Sequence, residues 1–137
     1  METMAASCKV KIVTAAILMK NGKILLCQRG QDDPQAFKWE FPGGKLEEGE
    51  TPESCLVREI REELCLDIAI DRHFCDSCYN YSSGQILLKA YLARIIGGEL
   101  KTVVHNAVEW VMPENVMAYN LLPADVVIAE KIMREPL

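Results

Sequence analysis

Residues 39–66 read WEFPGGKLEEGETPESCLVREIREELCL, and they constrain the chain more tightly than any other stretch. A Pro42-Gly43-Gly44 turn leads into a polar loop and then a helix. Thr51 suits the N-cap, Pro52 suits the first helical position, where its missing N–H costs nothing, and Glu53 complements the helix dipole. The pattern predicts a helix from Pro52 to about Leu64. At about 100° per residue, Leu56, Ile60 and Leu64 form an apolar stripe for a core. Glu59, Glu62 and Glu63 fall at i, i+3 and i+4 on a neighbouring face. Like charges at that spacing destabilise a helix by tenths of a kcal/mol each.

The flanks are strand-rich. Residues 9–19 (KVKIVTAAILM) read as a strand, Asn21-Gly22 as a hairpin turn and residues 23–29 as the returning strand. Residues 30–38 form a polar loop before a short extended piece, Trp39–Phe41. Residues 67–77 and 84–96 read as two further strands, joined near Ser82-Ser83-Gly84. Gly97-Gly98 turns the chain, and 107–112 read as a last strand. Pro113 and Pro123 each look like the start of a helix, the second running to about Arg134. Strands and helices mix without strict alternation, so the expected class is α/β, a mixed sheet flanked by helices. At 137 residues the chain has the size of one domain, 1–137.

Composition excludes several functions. The formal net charge is −5, which offers no counterion release to a nucleic-acid backbone. The apolar runs Thr14–Met19 and Ile86–Leu88 are too short to cross a bilayer, and the N-terminus lacks a basic segment followed by an apolar core. A cytoplasmic protein without membrane or nucleic-acid partners is expected. Cys75-Asp-Ser-Cys78 is an isolated pair. With only His73 and His105 as further nitrogen ligands, the six cysteines read as free, buried or half-buried thiols.

Oxygen ligands gathered on one helix face suit a hard cation, Mg²⁺ or Mn²⁺, and not zinc or copper. A Glu-rich face is also commonly just solvated, with Arg58 and Arg61 neutralising neighbours, so the helix alone leaves both readings open. The longer spacing is more specific. Gly44, five residues, Glu50, seven residues and then Arg58-Glu59-Ile60-Arg61-Glu62-Glu63-Leu64-Cys65-Leu66 resembles the Nudix box, G-x5-E-x7-R-E-U-x-E-E-x-G-U, where U is aliphatic. Only the last glycine departs, replaced by Cys65. A residue just past a helix end is commonly left-handed, which would cost a cysteine about 1 kcal/mol.

The resemblance implies a Nudix fold and metal-dependent hydrolysis of a nucleoside diphosphate linked to another group. It implies that Glu59, Glu62 and Glu63, with the Gly43 carbonyl, hold the metal. Gly44 and Glu50 would support the loop and helix, and Arg58 would position the glutamates. Glu109, on a strand with Val108 and Trp110 facing the other way, would add a metal or water-activating carboxylate. Arg29 would contact phosphates.

The lead-in Trp39-Glu40-Phe41-Pro42-Gly43-Gly44-Lys45 resembles the MutT-like branch, whose members release a nucleoside monophosphate and pyrophosphate. Tyr119 and Leu121-Leu122-Pro123-Ala124-Asp125 resemble the Y-x-L-x-P-A-D segment of CTP pyrophosphohydrolase-type enzymes. An ionised Asp125 only accepts hydrogen bonds, which suits the amino group of cytosine. Phe41 is a candidate for stacking on the base. The implied substrate is CTP, dCTP or a modified dCTP, acted on by a monomer or homodimer. Two alternatives stay open: hydrolysis of 8-oxo-dGTP, and a nucleotide sensor without catalysis.

Overall fold

The structure, a computed structural model, describes residues 10–135 and 137. Strands β1 (Val10–Lys20) and β2 (Lys23–Gln28) form a hairpin about Asn21-Gly22. Both turn residues take positive φ, 53° and 77°, which is why Asn-Gly occurs there. Then follow β3 (Trp39–Glu40), helix α1 (Pro52–Leu64), β4 (Leu66–Tyr81), β5 (Gly84–Gly98), β6 (Ala107–Val111), a 3-10 turn (Pro113–Ala118) and helix α2 (Pro123–Arg134). The fold class expected from the sequence is observed.

Three expectations need correction. β4 and β5 each outrun their predicted bounds and pair along nearly their whole length, with register shifts near Ile68, Arg72 and Cys75. The segment after Pro113 closes as a single 3-10 turn and not as an α-helix. Cys65 and Cys78 are exposed free thiols, whereas Cys27 and Cys55 are buried and Cys75 is half-buried. Cys8 and Lys9 lie outside the described residues.

The sheet is mixed. β1 runs parallel to β5 from Val10 to Leu18, and β5 is antiparallel to β4. β2 meets β1 only at Met19 and Lys20 near the hairpin, then leaves it to pair with β6 on one side and β3 on the other. The main chain of residues 42–44 fills the gap between the diverging strands. Ala16 N–H donates to the Pro42 carbonyl at 2.7 Å, and Thr14 N–H to the Gly44 carbonyl at 2.8 Å. A Cβ on Gly43 would overlap the Thr14 carbonyl, and one on Gly44 would strike the Glu59 carboxylate. Neither position has room for a side chain.

Two cores lie on opposite faces. α1 covers one, where Leu56, Ile60 and Leu64 pack on Ala16, Leu18, Leu25 and Cys27. Burying each of those α1 side chains contributes roughly 1.5–3 kcal/mol. α2 covers the other, with Ile128 and Ile132 against Ile17, Ile24 and Leu26.

α1 begins as expected. Thr51 accepts from Ser54 N–H while Ser54 Oγ accepts from Thr51 N–H, a reciprocal cap with serine in the place glutamate often takes. It ends at Cys65 with φ 60° and ψ 30°, the left-handed cap anticipated for the position where the box pattern has glycine. Cys65→Gly should therefore raise stability by about 0.5–1 kcal/mol, the relief of strain being partly offset by a freer unfolded chain. A melting temperature higher by a few degrees in calorimetry is the expected result, and an unchanged one would mean that the cap carries no strain.

Candidate active site

Arg58 organises the carboxylates of the helix. Its Nε and Nη2 donate to Glu50 Oε2 and Oε1 at 2.6 and 3.0 Å, a two-pronged pair. Its Nη1 donates to Glu59 Oε2 at 3.0 Å and Glu62 Oε1 at 3.1 Å. The bonds from Arg58 and the Glu47 N–H hold the Glu50 carboxyl down to about 2. Glu50 thus ties the loop to α1, the supporting place inferred from the sequence.

Glu63 is in the opposite situation. Burial, followed by the charges of Glu59 and Glu40, pushes its carboxyl up to about 8. A second and third negative charge in that corner are costly unless something positive offsets them. The carbonyls of Pro42 and Gly44 are taken by β1 amides, whereas no described backbone hydrogen bond ends on the Gly43 carbonyl between them. Crowded carboxylates beside a free carbonyl are a donor set that fits a hard divalent cation. Among the described residues, no three acidic, His or Cys side chains are already converged as a metal cluster. Glu62 in particular is largely exposed and turned to Arg58.

A cavity of about 650 Å³ opens between the two faces of this region, lined by Arg29, Glu40, Gly43, Glu63, His105 and Asp125 among others. Gly44 and Phe41 also border it, and Glu59 stands directly behind Gly44. Arg29 is not a loose phosphate ligand. Its Nη1 donates to Glu40 Oε1 and its Nη2 to Asp33 Oδ2, each at 2.6 Å. Glu40 also receives His105, with Nε2 to Oε2 at 2.9 Å.

Asp125 reaches the cavity from α2 because residues 120–122 join the free edge of β3: Trp39 N–H donates to Asn120 and Leu122 N–H to Trp39. Its Oδ1 accepts from Phe41 N–H at 2.9 Å, across 84 residues of sequence.

Two sequence readings change here. Asp125 is only 4% exposed, and burial, with the charge of Glu40, pushes its carboxyl well above the usual carboxylate range despite the Phe41 N–H bond. A carboxyl that keeps its proton both donates and accepts. Burial therefore works against the ionised, acceptor-only group used above to favour cytosine. Phe41 meets Asp125 through its backbone, and its ring is 2% exposed within the core, so it is not an open stacking platform.

Glu109 is a further correction. It pairs with Leu26 on the face covered by α2, opposite α1, and accepts from Tyr119 Oη at 3.1 Å. It does not border the cavity. Alternation along β6 was read correctly, but the face it selects is the wrong one for meeting Glu59 and Glu63. Conversely, Glu40 and His105 were missed. Glu40 lies within the quoted lead-in, but His105 sits in an irregular loop 65 residues away, where no local spacing marks it.

Comparison with known proteins decides the family. The NUDIX domain matches residues 10–135. This chain belongs to the Nudix hydrolase family. It is 39% identical over 121 residues to the CTP pyrophosphohydrolase of Escherichia coli strain K12, covering 88% of this chain and 90% of that one. It is 32% identical over 126 residues to the 8-oxo-dGTP diphosphatase of the same strain, covering 92% and 98%. The solution structure of the E. coli ORF135 protein superposes with a TM-score of 0.84 at 38% identity, covering 94% of this chain and 92% of that one. The mixed sheet between helices described above is the Nudix fold.

The Asp125 environment has a consequence for stability. A carboxyl whose pKa is higher folded than unfolded stabilises fully below the unfolded value, near 3.8. That contribution is lost as pH rises through the folded value. Asp125→Asn keeps an acceptor for Phe41 N–H and cannot ionise. Its denaturation midpoint should therefore gain on wild type steadily from pH 4 upward. Parallel curves for the two proteins would contradict the buried, protonated carboxyl.

Proposed function

We propose that this chain hydrolyses nucleoside triphosphates to the monophosphate and pyrophosphate, with a preference for CTP, dCTP or a modified dCTP. The observation that carries this reading is the carboxylate corner. Glu59 and Glu63 crowd beside the free Gly43 carbonyl, Arg58 restrains Glu50, Glu59 and Glu62, and a cavity large enough for a nucleotide opens at Gly43 and Glu63.

Glu59, Glu62 and Glu63, with the Gly43 carbonyl, would hold Mg²⁺ or Mn²⁺. The bound ion supplies charge for the phosphate oxygens and a water of lowered pKa. Arg58 limits where Glu59 and Glu62 can move, so the ligands are gathered with less loss of rotamer freedom. A net charge of −5 explains why a polyanionic substrate needs that cation. Asp125 presents a carboxyl to the base region of the cavity, with Oδ1 fixed by Phe41 N–H and Oδ2 left to pair with the base. The reaction uses free nucleotides and fits a cytoplasmic enzyme. No helix among the described residues is long and apolar enough to cross a membrane.

The cytosine preference rests on likeness to the CTP pyrophosphohydrolase of E. coli over nearly the whole chain. The burial of Asp125, which favours its protonated form, supports a second reading as well. A group that both donates and accepts can also pair with the oxo and amino functions of an oxidised guanine, and a relative named 8-oxo-dGTP diphosphatase covers 92% of this chain.

A panel of NTPs, dNTPs, 5-methyl-dCTP, 8-oxo-dGTP, NADH and ADP-ribose, resolving pyrophosphate from phosphate, tests both readings. Pyrophosphate release led by cytosine nucleotides is expected; release led by 8-oxo-dGTP would move the substrate assignment and keep the chemistry. Glu62→Gln should lower kcat by about 10²-fold or more without lowering the melting temperature. Chelation should abolish turnover, and added Mg²⁺ should restore it. Wild-type activity in Glu62→Gln would remove this residue from the metal site.

A further inference from the structure

The wall of the cavity beside Glu40 holds two buried nitrogens without partners. Among the described residues, Arg29 Nε and His105 Nδ1 are the buried side-chain polar atoms lacking a hydrogen bond. The two residues flank the same carboxylate, Arg29 on Oε1 and His105 on Oε2, and both line the cavity. The His105 side chain is only 3% exposed, and its Nδ1 finds no protein partner. A buried polar group left unpaired is destabilising, and two of them in one wall are not an incidental loss.

Their chemistry narrows what fits. Arg29 Nε is always a donor. A carboxylate at Nε2 fixes the N–H of His105 on that side, and Nδ1 is the nitrogen left for a ligand. One kind of group can meet both, an anionic oxygen, which accepts from Arg29 Nε and from Nδ1 of a ring that carries both protons. The triphosphate is that group in a nucleotide substrate. Arg29 has both terminal nitrogens occupied by Asp33 and Glu40, so Nε is the face it can still offer.

We infer that His105 is a substrate-binding residue, held in orientation by Glu40, whose Nδ1 serves a phosphate oxygen of the nucleotide together with Arg29 Nε. The inference rests on the nucleotide reading of the site above. It gives Glu40 a defined part, fixing the ring and the guanidinium against one another. The loop that carries His105 is itself anchored on α1, through Lys101 N–H to the Leu64 carbonyl and Val103 N–H to the Glu63 carbonyl. The phosphate contact and the carboxylate corner are therefore built on one support.

Two variants separate the ring nitrogens. A glutamine side chain can place its terminal amide where Nε2 stood, and an asparagine where Nδ1 stood. His105→Gln keeps the link to Glu40 and loses Nδ1. It should weaken binding of inorganic tripolyphosphate in calorimetry by about tenfold and raise KM for the best nucleotide similarly, with kcat changed far less. His105→Asn should bind tripolyphosphate better than His105→Gln. If His105→Gln matches wild type and His105→Asn is the weak one, His105 merely props Glu40 and the inference is overturned.

Nitrogen-15 spectra of the wild-type histidines avoid any question of misfolded variants. Tripolyphosphate should move the Nδ1 resonance of His105 and leave Nε2 nearly in place, and an unmoved Nδ1 also overturns the inference. A wild-type enzyme that releases no pyrophosphate from any triphosphate would sink the functional reading, and the binding and spectra would still decide His105.

Discussion

The main chain at Pro42-Gly43-Gly44 lies against β1 through two amide hydrogen bonds, and the rest of the site depends on that contact. β1 and β2 can separate beyond the hairpin because this segment satisfies the β1 amides that β2 abandons. The separation opens the cavity, and the segment then delivers α1 to the edge of it. Close approach is possible only without side chains: one glycine abuts the Thr14 carbonyl and the next abuts Glu59. The same two residues that permit the fold leave the Gly43 carbonyl without a backbone partner, in the cavity that Glu63 also lines.

Electrostatics around the cavity follow one arrangement repeated twice. Arg58 is shared among Glu50, Glu59 and Glu62, and Arg29 is shared between Asp33 and Glu40. In each case one guanidinium restrains more negative charge than it neutralises. Glu63 and Asp125 hold their protons more tightly than free carboxyls, first through burial and then through the charges of these neighbours. Such an imbalance costs stability in the bare protein and becomes favourable when a cation arrives, a trade that binding sites make and cores do not.

Much of the site was legible because the signals are local. The spacing from Gly44 through Glu50 to Arg58, Glu59, Glu62 and Glu63 reflects helix geometry and a short loop, and both lie within 20 residues. Helix α1 starts at Thr51 and ends before Cys65 as read, because caps are local chemistry. Misreadings arose where contacts span long separations. Glu109 alternates as a strand residue must, but which side of the sheet faces α1 is settled by the pairing of β6 with β2. Asp125 was read as an ionised carboxylate, and its burial comes from Phe41, Leu122 and the rest of a wall assembled from distant segments.

The sequence by itself determined the helix with its caps, the hairpin, the mixed class of the fold and the cluster of carboxylates proposed as ligands, since each depends on residues within a few turns of one another. Only the tertiary structure decided which carboxyls are pushed to hold their protons, that Arg29 is already engaged, and that Glu40 and His105 line the cavity. The physical reason is that charge state and hydrogen-bond partnership depend on burial and on neighbours in space. Those are set when loop 99–106 docks on the end of α1 and residues 120–122 close over β3.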